Sequence, residues 1–139
     1  MDDGFRRITP DEVRARSILK MVDTTMEVID TLDTERFPSN VIKEYYDVIR
    51  ELLSVILLLD GYKTYGDGAH KRLIDYIKAN YGNLTEHECI IIDDLRITRN
   101  RIAYDGFFID KDYLVRKKKA IQSIVQKLRE MIDTKIQSS

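Results

Sequence analysis

Hydrophobic side chains recur at intervals of three or four along most of the chain, which is the spacing of an amphipathic helix. In the first predicted helix, at about residues 10–33, one face is built from Ile18, Met21, Val22, Thr25, Ile29 and Leu32. Its start is predicted at a capping box formed by Thr9 and Glu12, with Pro10 at the first helical position. This pattern indicates a helix with one buried face and one solvated face.

The second predicted helix is the most apolar segment of the chain and is therefore expected at the centre of the fold. It begins at the break around Phe37 and Pro38 and ends at Asp60 and Gly61. Its polar residues form a single strip, which consists of Lys43, Asp47, Arg50, Glu51 and Ser54. Because apolar residues cover the rest of its surface, only this strip is expected to meet solvent or an ionic partner.

Three further helices are predicted, at about residues 69–79, 85–104 and 110–134. The second of these opens with a capping box formed by Thr85 and Glu88, and the third starts at Asp110 or Asp112. No segment shows the period-two alternation of a strand.

The chain is therefore predicted to be all-α, an antiparallel up-and-down bundle of four long helices and one short helix. Residues 1–139 are expected to form one domain with a core at about 9–135. The first eight and last five residues are expected to be loose tails.

The fourth helix differs from the others because it has two apolar stripes. One stripe contains Ile91, Ile92, Leu95, Thr98, Ile102 and Ala103. The other contains Ile90, Ile97 and Tyr104, and a polar wedge of Asp93, Arg96 and Asn100 separates the two. A helix that is apolar on two sides is usually buried on two sides. In a chain this short, one stripe is expected to face the core and the other a second copy, which predicts a homodimer.

Arg99 lies inside the first of these apolar stripes, and an unpaired guanidinium would cost several kcal/mol to bury there. Asp47 or Glu51, on the polar strip of the second helix, could supply an internal ion pair. Alternatively, Arg96, Arg99 and Asn100 line a groove at the subunit boundary and bind a phosphate of RNA or of a nucleotide. The two interpretations are compatible, because an acidic neighbour can orient the arginine while leaving part of its fork free.

Composition narrows the class of protein. The chain has 139 residues, 34% of them charged, and a net charge of -1, which argues against indiscriminate attraction to polyanions. Cys89 is the only cysteine, so an intrachain disulfide is excluded and a cytoplasmic protein is expected. The longest apolar run, Val55 to Leu59, is far shorter than the ~20 residues that a membrane span needs, so we expect no membrane segment.

The sequence does not indicate a site for a metal or another cofactor. His70, His87 and Cys89 are too few and too poorly spaced to predict a zinc site. The glycine-rich segment 61–68 lacks both the preceding strand and the Lys-Ser or Lys-Thr pair of a phosphate-binding loop. We therefore expect no metal and no cofactor, and we interpret this segment as a turn between helices.

The stretch from Arg99 to Tyr104, at the end of a helix, resembles the signature of the HEPN superfamily (higher eukaryotes and prokaryotes nucleotide-binding), an arginine followed a few residues later by a histidine. Residues 44–63 and 70–74 also resemble the second and third helices of that family, so the likeness covers about residues 40–135. The resemblance implies a dimerising helical bundle in which two copies of the motif face each other across a cleft. For active members it implies metal-independent RNA cleavage, and roles as toxins paired with a nucleotidyltransferase or another antitoxin.

The motif departs from that family at its last position, where Tyr104 replaces histidine. Attack by a ribose 2′-hydroxyl needs a group that titrates near neutrality, and free histidine titrates near ~6.5 whereas free tyrosine titrates near ~10. The leading interpretation is a homodimer that binds RNA, a nucleotide or an antitoxin-type partner through Arg96, Arg99, Asn100 and Tyr104, without robust catalysis. The alternatives are a metal-independent endoribonuclease with Arg99 and Tyr104 as catalytic residues, and a purely structural interaction module.

Overall fold

A computed structural model of the protein describes residues 3–138 and contains five helices and a small antiparallel sheet. In chain order the elements are β1 (Phe5–Arg7), α1 (Glu12–Thr31), α2 (Pro38–Asp60), β2 (Tyr62–Thr64), α3 (Ala69–Asn80), α4 (Glu86–Asp105) and α5 (Lys111–Ser138). The predicted all-α bundle of four long helices and one short helix is confirmed. None of the helices within residues 3–138 is both long enough and apolar enough to cross a lipid bilayer.

α2 forms the centre of the bundle, as its composition predicts. It packs against each of the other four helices, and side chains such as Ile49, Leu52 and Val55 are fully buried. Truncating a large buried aliphatic side chain to alanine usually costs about 2–5 kcal/mol, so this packing is a major source of stability. The polar strip of α2 emerges beside α1 and α4, where it contributes to the candidate site.

Local sequence signals account for several helix ends. α4 starts with the predicted capping box, in which the Thr85 hydroxyl accepts the N–H of Glu88 at 3.0 Å and the Glu88 carboxylate accepts the N–H of Thr85 at 2.9 Å. α2 ends at Gly61, whose φ of 87° lies in the left-handed region that favours glycine. Both boundaries agree with the sequence prediction.

The predicted start of α1 is wrong. The capping box of Thr9 and Glu12 does not form, because Asp11 is the N-cap and its carboxylate accepts a backbone N–H of the first turn at 2.9 Å. Just before it, the N–H of Ile8 donates a hydrogen bond to the carbonyl of Gly61 at 2.9 Å. This contact holds the chain before α1 against the end of α2. With Asp11 as the N-cap, the helix begins at Glu12.

Residues 5–7 and the glycine-rich segment form a sheet where the sequence predicts a loose tail and a turn. Residues 1, 2 and 139 of the two predicted tails lie outside the described part of the chain. β1 pairs antiparallel with β2, with Phe5 opposite Thr64 and Arg7 opposite Tyr62. The ring of Phe5 also lies 6.0 Å from that of Tyr76 on α3. Strands of three residues are too short to show a period-two pattern, and their partners are far apart in the chain.

The last turn of α5, residues 135–138, is helical rather than the loose tail that the sequence predicts. Lys135 pairs with Asp60 at the end of α2 and donates a hydrogen bond to the hydroxyl of Tyr81 at 2.8 Å. Ile136 packs, partly buried, against the core. These contacts with distant parts of the chain stabilise a turn whose own sequence carries little helical signal.

Candidate functional site

Two of the three arginines near the end of α4 are largely withdrawn from solvent. The side chain of Arg99 is 15% exposed and that of Arg96 is 22% exposed, whereas Arg101 is exposed. Arg99 shares the inward face of the helix with Ile92 and Leu95, which are almost completely buried. The predicted apolar setting of Arg99 is therefore confirmed, and the stripe that contains it is the one that faces the core.

Asp47 on α2 supplies the anionic partner of Arg99, as one of the two sequence interpretations expects. Its Oδ1 lies 3.2 Å from Nε of Arg99. This is an ion-pair distance, but the N–H is poorly aligned with the oxygen, and both atoms are buried without a hydrogen bond to residues 3–138. The ion pair therefore compensates the charge of Arg99 without completing its hydrogen bonding. An unsatisfied buried polar group costs about 1–3 kcal/mol.

The outer part of the Arg99 guanidinium makes only long contacts. Nη1 donates to Oδ1 of Asn100 at 3.5 Å and to the hydroxyl of Tyr104 at 3.4 Å, beyond the usual range for N–H···O. Nη2 has no hydrogen-bond partner among residues 3–138. The predicted residues Arg99, Asn100 and Tyr104 thus lie together, and the guanidinium retains capacity to bind another acceptor.

Tyr104 is 75% exposed, and Cζ of Arg99 lies 5.8 Å from the centre of its ring. Burial by itself lowers the pKa of Arg99, but the Tyr104 hydroxyl and the Asp47 carboxylate outweigh burial and raise the pKa above its ordinary value. Arg99 is therefore a permanent cation, and the ring beside it is accessible to a ligand.

Glu51, the second residue predicted to orient Arg99, contacts a different arginine, so this part of the prediction is wrong. Its Oε1 lies 3.1 Å from Nη2 of Arg50, the preceding residue on α2. Glu51 is one turn beyond Asp47, about 6 Å along the helix axis. At that level its carboxylate meets Arg50 instead of Arg99.

Three arginines of α2 and α4 each have one carboxylate partner. We call them the arginine cluster, which consists of the pairs Arg50 with Glu51, Arg96 with Asp93, and Arg99 with Asp47. Nε of Arg96 donates to Oδ1 of Asp93 at 2.9 Å. Because Arg96 and Arg99 both face their carboxylates through Nε, the two terminal nitrogens of each fork remain for other acceptors.

The same arginines act on two aromatic side chains, Tyr46 on α2 and His70 in the first turn of α3, whose ring centres are 6.3 Å apart. Burial raises the pKa of Tyr46 to about 12, although the positive charges of the arginines oppose this. Burial lowers the pKa of His70, and the charges of Arg50, Arg99 and Arg96 act in the same direction. These effects favour the neutral imidazole over the charged one, and Asp47 opposes them only in part.

The sequence does not place His70 beside this cluster, because no spacing rule connects the start of α3 with the end of α4. The proximity arises because α3 packs on both α2 and α4. One signal was present in the helical spacing of α3, where Leu73, Ile74 and Ile77 are buried. His70 is three, four and seven residues before them, which places it on the same inward face.

A groove of about 360 Å³ lies next to the cluster, between α1 and α2. Its walls include Met21 from α1 and, from α2, Glu44, Asp47, Arg50 and Glu51. Three carboxylates against one arginine make these walls unfavourable to an anion. The groove is therefore the acidic side of the cluster, and an anionic ligand is expected on the α4 side.

The second apolar stripe of α4 is exposed in the single chain. Ile90 is 60% exposed, Ile97 46% and Tyr104 75%, and the three are spaced by about two helical turns. Phe108, in the segment that follows α4, is 83% exposed. A line of large exposed apolar side chains is typical of an interaction surface, and the second copy that the sequence predicts there stays a prediction.

The three residues considered for zinc do not form a site. Within the described part of the chain no group of three His, Cys, Asp or Glu side chains is placed to hold a metal ion. Cys89 is buried, and burial raises the pKa of its thiol. His87 is exposed in the first turn of α4, whereas His70 lies beside the arginine cluster.

Comparison with known proteins assigns no family to this chain. No protein-family model matches the sequence, and no curated protein matches it either. The geometry of the arginine cluster is therefore the basis for a functional assignment.

Proposed function

We propose that the protein is a HEPN-like homodimer that binds RNA or a nucleotide through Arg96, Arg99, Asn100 and Tyr104, without robust catalysis. The observation that carries this proposal is the anchoring of Arg99 through one edge of its guanidinium. Asp47 faces Nε at 3.2 Å, while Nη1 makes only contacts of 3.4 and 3.5 Å. A planar donor that is held on one side and open on the other is suited to a phosphate group.

Tyr104 and Asn100 add contacts of other kinds at the same place. The exposed ring of Tyr104 can stack on a nucleobase, and its hydroxyl can donate a hydrogen bond to a phosphate. The side-chain amide of Asn100 offers both donors and an acceptor. These groups together favour a nucleotide unit, with its base, sugar and phosphate, over a simple anion.

The exposed stripe of Ile90, Ile97 and Tyr104 supports the homodimer in this proposal. In a two-fold dimer the same surface of each copy meets its counterpart, so that α4 of one protomer would lie against α4 of its partner. Tyr104 belongs to the stripe and also contacts Arg99. The proposed RNA-binding residues of the two copies would therefore flank one boundary, as the resemblance to the HEPN superfamily implies.

The expectation of weak or absent catalysis rests on position 104, where the resembled motif has histidine. A tyrosine is a poor base near neutral pH because free tyrosine titrates near ~10. It remains suited to binding, since a phenolic hydroxyl is a good hydrogen-bond donor.

RNA binding by an Arg99→Ala variant tests the proposal. We expect its affinity for a short single-stranded RNA to fall about tenfold or more, because a hydrogen bond to a charged group contributes about 1.5–3 kcal/mol and about 1.4 kcal/mol is tenfold. Fluorescence anisotropy at several salt concentrations measures the affinity and reports the lost phosphate contact as a shallower salt dependence.

Arg129→Ala is the matched control. Arg129 on α5 is also partly buried and pairs with Asp23 and Asp133, but its partners belong to α1 and α5 rather than to the arginine cluster. This variant should bind RNA like the wild-type protein. Equal binding by the two variants, or no binding by the wild-type protein, would show that the proposal is wrong.

A further inference from the structure

One group beside the arginine cluster, His70, can change its charge near neutral pH. His70 is half-buried in the first turn of α3, with its ring 6.3 Å from that of Tyr46. It is also within electrostatic reach of Arg50, Arg96 and Arg99. Histidine is the side chain that ordinarily titrates between about pH 5 and 8, so the cluster can gain a proton at this position without any other group changing its charge.

The surroundings of His70 favour the neutral imidazole. The charged groups that reach it from α2 and α4 are Arg50, Arg96, Arg99 and Asp47. On α3 itself, Lys71 is exposed, and Arg72 donates to the backbone carbonyls of Tyr65 and Asp67 at 3.0 and 2.7 Å. Tyr46 is the remaining titratable neighbour, and its raised pKa of about 12 keeps it neutral.

An incoming phosphate reverses this preference. The three arginines are already matched by three carboxylates, so the cluster without His70 is formally neutral. A phosphate monoester carries about -1.5 to -2 charges at pH 7, because its second pKa is about 6. Negative charge of this size favours the protonated form of a nearby imidazole, and a diester, with its single charge, favours it less.

We propose that His70 belongs to the phosphate site and takes up a proton when the site binds a phosphate monoester, such as the terminal phosphate of a nucleotide or of an RNA strand. The imidazolium donates a hydrogen bond to the phosphate, next to the guanidinium groups of Arg96 and Arg99. This inference rests on the proposed function and makes it more specific, because the site then prefers a terminal phosphate to the diesters within a strand.

NMR titration tests the proposal on the wild-type protein, because the chain has two histidines and each imidazole can be followed separately. His87 is the internal control, since it is exposed in the first turn of α4. Saturating 5′-AMP should raise the titration midpoint of His70 by about one pH unit, equivalent to about tenfold tighter binding to the protonated form. The NMR signals of His87 should not respond to 5′-AMP. An unchanged midpoint for His70 overturns the proposal.

Calorimetry of two variants gives a second measurement. His70→Gln keeps a polar side chain that cannot take up a proton, so it should weaken 5′-AMP binding about threefold to tenfold at pH 6 and much less at pH 8. His87→Gln should match the wild-type protein at both pH values. A loss of equal size at pH 6 and pH 8 indicates a role without proton uptake and overturns the proposal.

Matched ligands identify the source of the phosphate. A 5′-phosphorylated RNA strand should bind more tightly than the same strand with a 5′-hydroxyl, and equal binding overturns the preference for a monoester. Inorganic phosphate alone should raise the His70 midpoint if the anion suffices. A rise with 5′-AMP or the phosphorylated strand, but not with inorganic phosphate, supports the proposal with a nucleotide as ligand.

The same experiments separate this inference from the proposed function. If Arg99→Ala weakens RNA binding while neither His70 nor the terminal phosphate has an effect, the inference is wrong and the proposed function is supported. If the wild-type protein binds neither RNA nor 5′-AMP, both are wrong.

Discussion

Among single residues, the arginine at position 99 has the largest consequence for the site. Its guanidinium carries five N–H donors in a planar fork, so one edge can face Asp47 while the other faces a ligand. A lysine would place one compact ammonium group beside the carboxylate and would have no second edge to offer. Arginine at this position can therefore be compensated within the chain and still bind an anion.

Replacement of Tyr104 by histidine tests whether the surrounding site is organised for RNA cleavage. The hydroxyl of Tyr104 lies 3.4 Å from Nη1 of Arg99, so the substitution places an imidazole beside this guanidinium. In the presence of chelator we expect the wild-type protein to leave RNA intact. We expect Tyr104→His to cleave RNA at a rate on the order of 100-fold above the background of the wild-type protein, because the imidazole titrates near neutrality.

Gel electrophoresis and end-group analysis would detect the products as fragments with 2′,3′-cyclic phosphate ends. The double variant Tyr104→His with Arg99→Ala is the control and should be inactive. If the wild-type protein itself yields such fragments, and loses them with Arg99→Ala, the metal-independent endoribonuclease is the better assignment. If Tyr104→His yields none, the site departs from a nuclease at more than one position.

Among the elements, the ends of three helices meet in a polar network around Asp60. Asp60 at the end of α2 accepts hydrogen bonds from Tyr76 at 2.8 Å and from Tyr81 at 2.5 Å, and it pairs with Lys135 of α5. Burial by itself raises the pKa of Asp60, but the hydrogen bonds from Lys135, Tyr81 and Tyr76 outweigh burial and lower it. Burial lowers the pKa of Lys135, but Asp60 and Tyr81 outweigh this and raise it.

These shifts predict how the stability of the bundle depends on pH. The folded pKa of Asp60 is below its unfolded value, so the carboxylate stabilises the fold above about pH 4 and this contribution is lost as the pH falls through the folded pKa. The folded pKa of Lys135 is raised, so its contribution is complete below about pH 10 and is lost as the pH rises through the folded pKa.

Asp60→Asn should lower the free energy of unfolding at pH 7 by about 1–3 kcal/mol, because it removes the charged acceptor of the network. Urea unfolding between pH 2 and pH 8 measures this, and the difference from the wild-type protein should shrink below about pH 4. Asp75→Asn, at an exposed position on α3, is the control and should have little effect. A difference that does not change with pH would contradict the assigned role of the carboxylate.

The helix ends show which parts of the fold local sequence can predict. The start of α4 and the end of α2 depend on groups within one turn, the capping box of Thr85 and Glu88 and the left-handed Gly61. The strands β1 and β2 and the last turn of α5 depend on partners from distant parts of the chain. No periodicity within either segment reports such partners.

For the whole molecule, the exposed stripe on α4 is the surface at which the proposed dimer would form. The side chains of Ile90 and Ile97 are about half-exposed or more, and Tyr104 is more exposed still. Exposed apolar residues also occur on α1, where Val13 is 82% exposed, but within residues 3–138 only the α4 stripe shares a residue with the contacts of Arg99. The proposed dimer would therefore bury Ile90 and Ile97 and bring two arginine clusters close together, with the ring of Tyr104 at the edge of the interface.

Ile97→Glu should convert the proposed dimer into a monomer. A carboxylate at this position would face an apolar surface or its own copy across the two-fold axis, at a cost of about 1–3 kcal/mol or more for each copy. Analytical ultracentrifugation measures the oligomeric state, and thermal unfolding at concentrations where both proteins are monomeric checks the fold. Val13→Glu on α1 is the control and should remain dimeric. A wild-type protein that is monomeric at all concentrations would rule out the proposed interface.

Local sequence was sufficient for the helical class, for the central position of α2 and for the placement of Arg99 among buried neighbours, because helical spacing and capping act within one or two turns. The packing of the helices decided the rest. Asp47 and Glu51 are one turn apart on one polar strip, and only the level at which α4 meets α2 selects Asp47. His70 joins the arginines because α3 packs on both helices, an arrangement that depends on long-range contacts.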